Sequence, residues 1–358
     1  MPQSSIILYG ANGYTGQLIA KQAVAYNLHP ILTGRKESAI VPLAKSLTLP
    51  YKIADLNNTS ELETALEGIT VVIHAAGPYQ YTAKQMVEAC LKTGTHYLDI
   101  NGDVAVFEML KKYDEKARRA GIMVMPGVGF DVVPTDCIAL LLKKQLPDAV
   151  SLKLAFASLG GGLSHGTATT MVSKLGEGGA IRKQGKIIRS PIGQKGMWVD
   201  FGLKKIFVMN IPWGDISTAY TTTSIPNIET YTSISPKIYR LLKLQPLFNW
   251  LLRTSFTRNI MKKKIDKLPA GPDDEGRKNG KMLVWGQVTN AAGNTATARL
   301  SGPDGYTLTA HSSLIIARKV LEGKYKTGYQ TPAGAYGEEL VLEIPGVSRE
   351  AVLSCTVI

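Results

Sequence analysis

The sequence predicts an α/β protein, in which a Rossmann-type, doubly wound parallel sheet is followed by a second α+β domain with a mixed or antiparallel sheet. Three observations lead to this prediction. Short apolar runs alternate with amphipathic stretches through the first 125 residues. A glycine-rich turn, GANGYTG at 10–16, joins the first apolar run to the first amphipathic stretch. Beyond residue 150, strand-like runs separated by Gly, Pro and Asn replace the alternation.

Six apolar runs predict the strands of the first domain, at 6–9, 30–33, 51–54, 71–75, 96–100 and 122–125. Helical patterns lie between them, at 15–26, 38–47, 59–67, 81–93 and 104–120. Strands and helices at this rhythm form a parallel sheet with right-handed crossovers. Six such strands are what a doubly wound dinucleotide-binding fold requires. We therefore expect a Rossmann domain over residues 1–126.

The second domain is expected over residues 127–305. Its strand-like runs lie at 150–160, 186–191, 197–202, 204–213, 217–225, 227–234, 281–289 and 295–302. A helical pattern then covers 306–321, and we expect the C-terminal segment, 306–358, to return to the Rossmann domain.

The composition indicates a globular protein of the cytoplasm. The chain has 358 residues, 44% of them hydrophobic, and no stretch approaches the roughly 18 uninterrupted apolar residues of a membrane span. No basic segment precedes the first apolar run, so we expect no signal peptide. The three cysteines, Cys90, Cys137 and Cys355, are far apart, which fits a reducing compartment and predicts neither disulfides nor a metal site.

The net charge of +13 is concentrated in one segment, 237–267, which holds nine basic residues and one acidic residue. Leucine and aromatic side chains accompany the charges, so the segment reads as basic amphipathic helix broken near Pro246. One interpretation is a solvated helix face packed on the core. The other is contact with an anionic membrane, which would make the protein membrane-associated. Nucleic-acid binding is disfavoured because no recognised module surrounds the charge.

The turn after the first strand has the spacing of a pyrophosphate-binding loop. Gly10 permits the tight turn, Gly13 lets the backbone approach the phosphates, and Gly16 lets the helix lie close to the sheet. Asn12 belongs to the same loop, and the amides of Gly13, Tyr14 and Thr15 are the expected phosphate donors. An ordinary tight turn is the alternative.

The end of the second strand predicts which dinucleotide binds. NAD-specific proteins usually place an acid there for the ribose hydroxyl, but here Thr33 and Gly34 precede two cations, Arg35 and Lys36. A guanidinium can grip a phosphate with two hydrogen bonds, so NADP is the expected cofactor, and two solvated surface charges are the alternative.

Further cofactor contacts are expected after the third and fourth strands. Asp55 lies where a side chain would reach the adenine, with a helix N-cap as its alternative. Ala76, Gly77 and Pro78 form a small-residue turn that would let the cofactor pass towards its nicotinamide end.

Asp131 is the first candidate for chemistry. It follows the sixth predicted strand and precedes a helix whose first turn contains Pro134. Its alternative roles are an N-cap carboxylate and a group that faces nicotinamide and substrate.

With these motifs placed, the sequence resembles the saccharopine dehydrogenase-like NADP-binding oxidoreductases, especially the branch of the trans-acting enoyl reductases. The matching segments run in order along most of the chain: GANGYTG (10–16), TGR (33–35), AAGPY (75–79), HYLDINGD (96–103), GFDVVPTD (129–136), SHGTATT (164–170), GPDDEGR (271–277) and TPAGAYG (331–337).

The resemblance implies a Rossmann domain followed by an α/β domain that covers the nicotinamide. Hydride transfer is mostly the chemistry of the cofactor, and the protein supplies position and a proton. The candidate proton donors are Tyr79, Tyr81, Asp131 and His165. The alternative for His165 is a satisfied histidine in a glycine-rich loop.

We therefore expect an NADPH-dependent reductase of a C=C or C=N bond in a largely apolar small molecule or lipid-like substrate. Segments such as GMWVDFG (196–202) and FVMNIPW (207–213) would line an apolar cleft, although such runs are more often core strands. A saccharopine-type dehydrogenase of amino-acid C–N bonds and a non-catalytic NADP-binding sensor are the alternatives. A homodimer is left open.

Overall fold

The computed structural model describes residues 5–160, 162–173, 178–243, 250, 254–265, 267, 269–350 and 352–355. The chain divides into two compact units. The first comprises residues 1–133 and 305–344, and the second comprises residues 134–304 and 345–358. The first boundary therefore falls seven residues later than the expected 126, and the C-terminal segment is shared between the units rather than returning whole to the first.

The first unit is built on a parallel sheet of seven strands in the order β15-β6-β5-β4-β1-β2-β3. Its strands are β1 (Ile6–Tyr9), β2 (Ile31–Gly34), β3 (Tyr51–Ile53), β4 (Val71–His74), β5 (His96–Asp99), β6 (Met123–Met125) and β15 (Gly328–Tyr329). Its helices are α1 (Tyr14–Ala23), α2 (Glu37–Leu47), α3 (Thr59–Leu66), α4 (Tyr79–Thr93), α5 (Val104–Lys111), α6 (Asp114–Arg119), α13 (Gly305–Leu321) and α14 (Pro332–Tyr336).

The central strands are apolar because helices cover both faces of a parallel sheet. All four residues of β1 and all four of β4 are buried. The six predicted strands are present within one or two residues of their expected bounds. The predicted helix at 104–120 is two helices, because the chain turns at Lys112 and Tyr113 before α6 begins. The seventh strand, β15, was not predicted; at two residues it is too short to show a pattern.

The second unit carries a mixed sheet whose main path is β10-β11-β12-β7-β13-β14-β16. Strands β7 and β12 pair in parallel, and the other pairs are antiparallel. The strands are β7 (Ser151–Leu159), β8 (Gly179–Lys183), β9 (Lys186–Ser190), β10 (Gly196–Asp200), β11 (Lys205–Ile211), β12 (Asn227–Ser233), β13 (Lys281–Thr289), β14 (Thr295–Pro303), β16 (Ser348–Arg349) and β17 (Leu353–Cys355). The described helices are α7 (Val133–Gln145), which begins at the boundary, α8 (His165–Ser173), α9 (Asp215–Thr223), α10 (Pro236–Leu242), α11 (Ser255–Ile265) and α12 (Asp274–Asn279).

One expected strand of the second unit was wrong. The run 217–225, rich in threonine, lies mostly in helix α9. The hydroxyls of Thr221 and Thr223 donate to main-chain oxygens four residues earlier, at 3.2 and 2.6 Å. These bonds satisfy the β-branched residues inside a helix, and burial of Ile216 and Ala219 against the unit decides the outcome over local propensity.

Helix α8 also differs from expectation. His165 is its first residue rather than part of a glycine-rich loop. The hairpin formed by β8 and β9 was likewise only half anticipated, since the first of the two strands was not predicted.

The basic segment 237–267 forms α10 and α11 where it is described. The expected break near Pro246, and the side chains of Leu247, Phe248 and Leu251, lie outside the described residues. Among the helices that the structure does describe, none has both the length and the hydropathy needed to cross a membrane.

Candidate active site

The carboxyl ends of the strands in the first unit form a crevice beside β1. Strand β1 lies between β2 and β4, so the chain leaves it towards one side of the sheet and leaves β4 towards the other. Ligands of open α/β sheets bind at such switch points. The two loops touch here, because a Cβ on Gly10 would lie 2.8 Å from Ala75 and Ala76.

The glycines of the first turn differ in their structural surroundings. Gly10 has φ +83°, and the Gly10 and Ala11 amides donate to the Thr33 carbonyl at 2.8 and 3.3 Å. A Cβ on Gly16 would lie 2.3 Å from the Gly10 oxygen. A Cβ on Gly13 would meet only that oxygen, at 3.3 Å. Gly10 and Gly16 are therefore required by packing, whereas the space beside Gly13 is open to a ligand.

Helix α1 begins at this turn without a side-chain cap. Gly13 is its N-cap residue, and no acidic residue lies in the first turn. The Gly13 amide donates to the Gly10 carbonyl at 3.0 Å, so this amide is engaged within the turn instead of being free for phosphate. An uncapped helix N-terminus with no anion of its own suits a bound phosphate. Thr15 lies in this first turn, and the ring of Tyr14 packs edge-on against Tyr306 at 5.0 Å.

The residues at the end of β2 divide into a buried pair and an exposed pair. Thr33 is buried, and Gly34 approaches the Asn12 side chain, whose oxygen would lie 3.2 Å from an added Cβ. Arg35 and Lys36 are exposed, and neither forms an ion pair with a described residue. Two adjacent unpaired cations beside the glycine turn fit a phosphate ester on the ribose.

Asp55 lies at the end of β3 in a turn of its own. Its Oδ1 accepts hydrogen bonds from the main-chain and side-chain nitrogens of Asn57, at 2.9 and 3.0 Å. The cap of α3 is Asn58, which accepts from the Glu61 amide, so Asp55 is not an N-cap.

The turn after β4 is held by α4. Its residues are Ala76, Gly77 and Pro78, and the Gly77–Pro78 peptide is cis. Thr82 Oγ1 donates to the Ala76 carbonyl at 2.8 Å. The Tyr79 hydroxyl points inwards and donates to the His74 carbonyl at 3.3 Å. Burial raises the pKa of Tyr79 well above its ordinary value, which makes it a poor proton donor.

Tyr81 differs from Tyr79 in exposure. Its side chain is 66% exposed on the surface of α4. The structure gives this residue no packing role in the crevice.

Asp131 is the most unusual titratable group of the crevice. Its carboxyl is partly buried, and no described residue donates a hydrogen bond to it. A Cβ on Gly102 would lie 2.7 Å from Asp131 Oδ2, so the carboxyl lies directly over that glycine. Burial raises the pKa of Asp131 to about 7. A carboxyl with such a pKa can hold a proton at neutral pH and deliver it.

Asp99 is a residue of this region that sequence reasoning missed. It ends β5 and is fully buried, and its carboxylate accepts from Tyr97, Asn101 and Gly127. The signal was present, because the segment HYLDINGD places an acid directly after an apolar strand.

His165 lies in the second unit. Its amide donates to the Ala270 carbonyl at 3.0 Å, and the residue opens α8. The structure thus places Asp131, Tyr79 and the cofactor candidates in the first unit, whereas His165 belongs to the second.

The site as a whole fits a dinucleotide. A parallel sheet with a switch point, an open glycine, an uncapped helix and unpaired cations define a Rossmann-type dinucleotide-binding protein. Within the described ranges, no three or more His, Cys, Asp or Glu side chains are grouped to hold a metal ion.

Comparison with known proteins supports the resemblance drawn from the sequence. Residues 6–125 match the model of the saccharopine dehydrogenase NADP binding domain. The resemblance to the saccharopine dehydrogenase-like NADP-binding oxidoreductases is confirmed, and so is NADP as the cofactor.

The curated relatives are distant. The chain is 24% identical over 203 residues to the saccharopine dehydrogenase-like oxidoreductase of Rattus norvegicus, a match covering 50% of this chain and 47% of that protein. It is 27% identical over 183 residues to a Mycobacterium tuberculosis protein provisionally named trans-acting enoyl reductase, covering 48% and 44%. A lipid droplet localized protein of Caenorhabditis elegans matches over 410 residues at 23%, covering 96% of each chain.

The match to the first of these relatives spans about half of its length. Among solved structures, apo saccharopine dehydrogenase (L-Glu forming) from Saccharomyces cerevisiae matches with a TM-score of 0.68. The two are 14% identical, and the match covers 99% of this chain and 100% of that one, which shows a shared fold.

Proposed function

We propose that this protein is an NADPH-dependent reductase that adds hydrogen to a C=C or C=N bond of a largely apolar substrate. The observation that carries the proposal is the carboxyl of Asp131, which follows β6, has no described hydrogen-bond partner and has a pKa of about 7. NADPH, when bound, supplies the hydride to one atom of the double bond. The protein then has to supply a proton to the other atom, and Asp131 is the group poised to do so.

The remaining residues of the crevice bind and orient. The open face at Gly13 and the uncapped end of α1 suit the pyrophosphate, and Arg35 and Lys36 suit the 2′-phosphate. Tyr79 packs against His74 with ring centroids 5.3 Å apart and supports the turn at Ala76–Pro78. This division of labour leaves Asp131 as the proton donor proposed from the first unit.

The apolar substrate is supported by the relatives rather than by a pocket. One relative is provisionally named an enoyl reductase, and another is a lipid droplet localized protein. The segments expected to line an apolar cleft form β10 and β11, where Val199 and Val208 are buried and Trp198 is 58% exposed.

Consumption of NADPH against a panel of enones and cyclic imines tests the proposal, with the Gly13→Val variant as the cofactor-free control. We expect turnover with at least one class of acceptor and none in the variant. Tight NADPH binding with no turnover of any acceptor would favour the non-catalytic sensor. Turnover only with amino-acid imines would favour a saccharopine-type reaction.

A second proposal concerns location: we infer that the second unit docks on an anionic lipid surface. Helix α10 buries Tyr239 against Phe207, with ring centroids 5.0 Å apart. This contact turns Ile238 and Leu241 outwards, 53% and 68% exposed. The alternative is that the apolar residues of this segment are buried in the core. Ile238 and Leu241 are exposed and therefore do not fit it.

The hairpin of β10 and β11 extends the same surface. Trp198 is 58% exposed and Leu203 65% exposed, and Lys204 and Lys205 are exposed beside them. A groove joins the hairpin to the start of α10. We call this set the basic apolar surface; its members are Trp198, Leu203, Lys204, Lys205, Lys237, Ile238, Arg240 and Leu241. Apolar insertion together with attraction of cations to lipid headgroups is the usual basis of such binding.

Sedimentation with vesicles tests this inference. Each cation near an anionic surface contributes about 1 kcal/mol, so we expect binding to anionic vesicles that weakens with salt. The variant to compare is Lys204→Gln, Lys205→Gln, Lys237→Gln and Arg240→Gln. The charge-matched control is Lys21→Gln, Lys45→Gln, Lys84→Gln and Lys112→Gln, in the first unit. Equal loss in both variants, or no binding by the unaltered protein, would overturn the inference.

A further inference from the structure

Asp99 is a buried carboxylate that the proposed reaction does not use directly. Its Oδ2 accepts from the Tyr97 hydroxyl at 2.5 Å, and its Oδ1 accepts from the amides of Asn101 and Gly127 at 3.0 and 2.9 Å. The Asn101 side-chain nitrogen reaches both oxygens, at 2.7 and 2.9 Å. Every partner is a donor, so the carboxylate acts purely as an acceptor. No described cation pairs with it, although burying a carboxylate is costly.

The hydrogen bonds of Asp99 join two loops at the carboxyl end of the sheet. Asn101 belongs to the turn between β5 and α5, and Gly127 belongs to the loop between β6 and α7. The main-chain oxygen of Asp99 adds a third link, because it accepts from the Val128 amide at 2.8 Å. Asp99 therefore links the two loops through both its carboxylate and its main-chain oxygen.

The two loops meet again at Asp131. Gly102 follows Asn101 and lies under the Asp131 carboxyl, where an added Cβ would come within 2.7 Å of Oδ2. Gly102 lies one residue after Asn101, and Asp131 lies four residues after Gly127. The contact between Gly102 and Asp131 is therefore close to both hydrogen-bonding partners of Asp99. A shift in either loop moves the carboxyl relative to the surface it rests on.

Helix α13 fixes the other side of the Asp131 loop. The Phe130 amide donates to Thr309 Oγ1 at 2.9 Å, and Ser312 Oγ donates to the Val128 carbonyl at 2.6 Å. Hydrogen bonds therefore hold the loop from two sides, to α13 on one and to Asp99 on the other. The Asp131 carboxyl itself has no hydrogen-bond donor among the described residues.

We propose that Asp99 is a positioning residue: it holds the Gly102 turn and the Asp131 loop together, and so fixes the Asp131 carboxyl for proton transfer. The role in proton transfer rests on the proposed function, whereas the role in positioning the Asp131 carboxyl does not. An amide in place of the Asp99 carboxylate presents an N–H group to a site whose partners are all donors. The Asp99→Asn variant should therefore separate the loops and change the surroundings of Asp131.

The test is a pH titration of Asp131, monitored by carbon NMR of the full chain with its aspartate carboxyl carbons labelled. The Asp131→Asn variant assigns the signal. We expect Asp99→Asn to move the midpoint of the Asp131 titration by at least about 0.5 pH unit. We also expect kcat for NADPH oxidation to fall about tenfold with an unchanged Kd for NADPH. The titration needs no substrate, so it is independent of the proposed reaction.

The matched control is Asp103→Asn. Asp103 lies in the same turn and caps α5 by accepting from the Ala105 amide at 3.0 Å. Asn is an equally good N-cap, so the replacement removes a carboxylate from this turn and keeps the cap. It should leave the Asp131 titration unchanged. Gly102→Ala is the second variant, because its methyl group displaces the Asp131 carboxyl while the Asp99 hydrogen bonds remain.

The possible results have distinct meanings. An Asp131 titration unchanged in Asp99→Asn would overturn the proposal, as would an equal shift in Asp103→Asn. If Asp99→Asn does not fold, Asn101→Ala takes its place, because it removes the side-chain link between Asp99 and the Gly102 turn. A shifted titration in a protein that turns over no acceptor would uphold the positioning role and remove the proposed function.

Discussion

At the scale of single residues, Arg35 and Asp131 are two charged groups that the described fold leaves without hydrogen-bonding or ion-pair partners. Arg35 follows β2 and is exposed, and Asp131 follows β6 and is partly buried. A protein gains little stability from either arrangement, because surface charges contribute little and a buried carboxyl is costly. Their positions at the carboxyl ends of parallel strands are those at which open α/β sheets bind ligands.

The first prediction concerns Arg35. We expect NADPH to bind at least about tenfold more tightly than NADH, and Arg35→Ala to remove most of that difference without changing NADH affinity. Nicotinamide fluorescence titrations of both cofactors measure it. Lys45→Ala, an exposed cation on α2, is the control and should leave both affinities alone. Equal affinities in the unaltered protein would contradict the role given to Arg35.

The second prediction concerns stability and Asp131. Burial raises the pKa of Asp131 to about 7 from an ordinary value of 3.8, so the folded state holds a proton that the unfolded chain has lost. The contribution of Asp131 to the free energy of unfolding is therefore most favourable at a pH below the pKa of the unfolded chain. It is lost as the pH rises to about 7, the pKa in the folded state.

The Asp131→Asn variant removes this penalty. The difference in free energy of unfolding between Asp131→Asn and the unaltered protein should increase by about 1–2 kcal/mol, in favour of the variant, from pH 4 to pH 8. This is less than the full pKa shift would give, because the carboxyl is partly open to water. Denaturant unfolding at the two pH values measures this. No gain in Asp131→Asn would show that Asp131 titrates normally. A gain of the same size in Asp103→Asn would show that the effect is not specific to Asp131.

At the scale of elements, the turn between β1 and α1 separates packing from binding. Gly10 and Gly16 are required by neighbouring backbone, whereas Gly13 borders open space at the N-terminus of the helix. Three glycines with the same spacing thus have different physical reasons, and substitutions can tell them apart.

The third prediction uses that separation. Gly13→Val should leave the melting temperature nearly unchanged and abolish NADPH binding, because the side chain fills the space meant for the pyrophosphate. Gly16→Val should lower stability by about 3 kcal/mol or more, because its Cβ would lie 2.3 Å from a carbonyl oxygen. Thermal melts and NADPH titrations check both. Normal melting with normal NADPH affinity in Gly13→Val would place the phosphate site elsewhere.

Elements with a strong period could be predicted from sequence, and those decided by tertiary contacts could not. Six of the seven strands of the first unit follow from apolar runs bounded by turn residues. Helix α9 could not, since threonine favours strands until its hydroxyl bonds to the helix backbone and its neighbours are buried. The split between α5 and α6 was likewise hidden, because both halves have helical patterns.

At the scale of the whole molecule, the chain leaves the first unit at Val133 and returns at Gly305. The two ends are close in space, since a Cβ on Gly305 would lie 3.2 Å from the ring of Phe130. Helix α13 then completes the first unit, where Leu314 and Ile316 are buried and Thr309 holds the Asp131 loop.

The fourth prediction follows from this path. A variant in which a short Gly/Ser linker replaces residues 134–304 should fold and bind NADPH, because it keeps α13 and joins neighbouring ends. A fragment of residues 1–133 should not, because it exposes the surfaces that α13 buries. Circular dichroism and NADPH titration compare the two. NADPH binding by the fragment as tight as by the linked variant would show that α13 is dispensable.

NADP could be predicted as the cofactor because phosphate binding imposes glycine spacing and charge at fixed places. The residues proposed for proton transfer could be found from the sequence only in part. Asp131 was found from its position after a strand, but its pairing with Gly102 depends on loop geometry. Asp99 was missed because the hydrogen bond by which its carboxylate links the two loops comes from the Gly127 amide, 28 residues away along the chain.

The most direct measurement of the central claim is the pH dependence of NADPH oxidation with a productive acceptor, in the unaltered protein and in Asp131→Asn. The pKa of about 7 predicts that kcat/KM falls about tenfold per pH unit above neutrality, because only the protonated carboxyl can donate. The Asn variant should be slow and insensitive to pH over the same range. A flat profile in the unaltered protein, or the same fall in Asp131→Asn, would contradict the assignment of Asp131 as the proton donor.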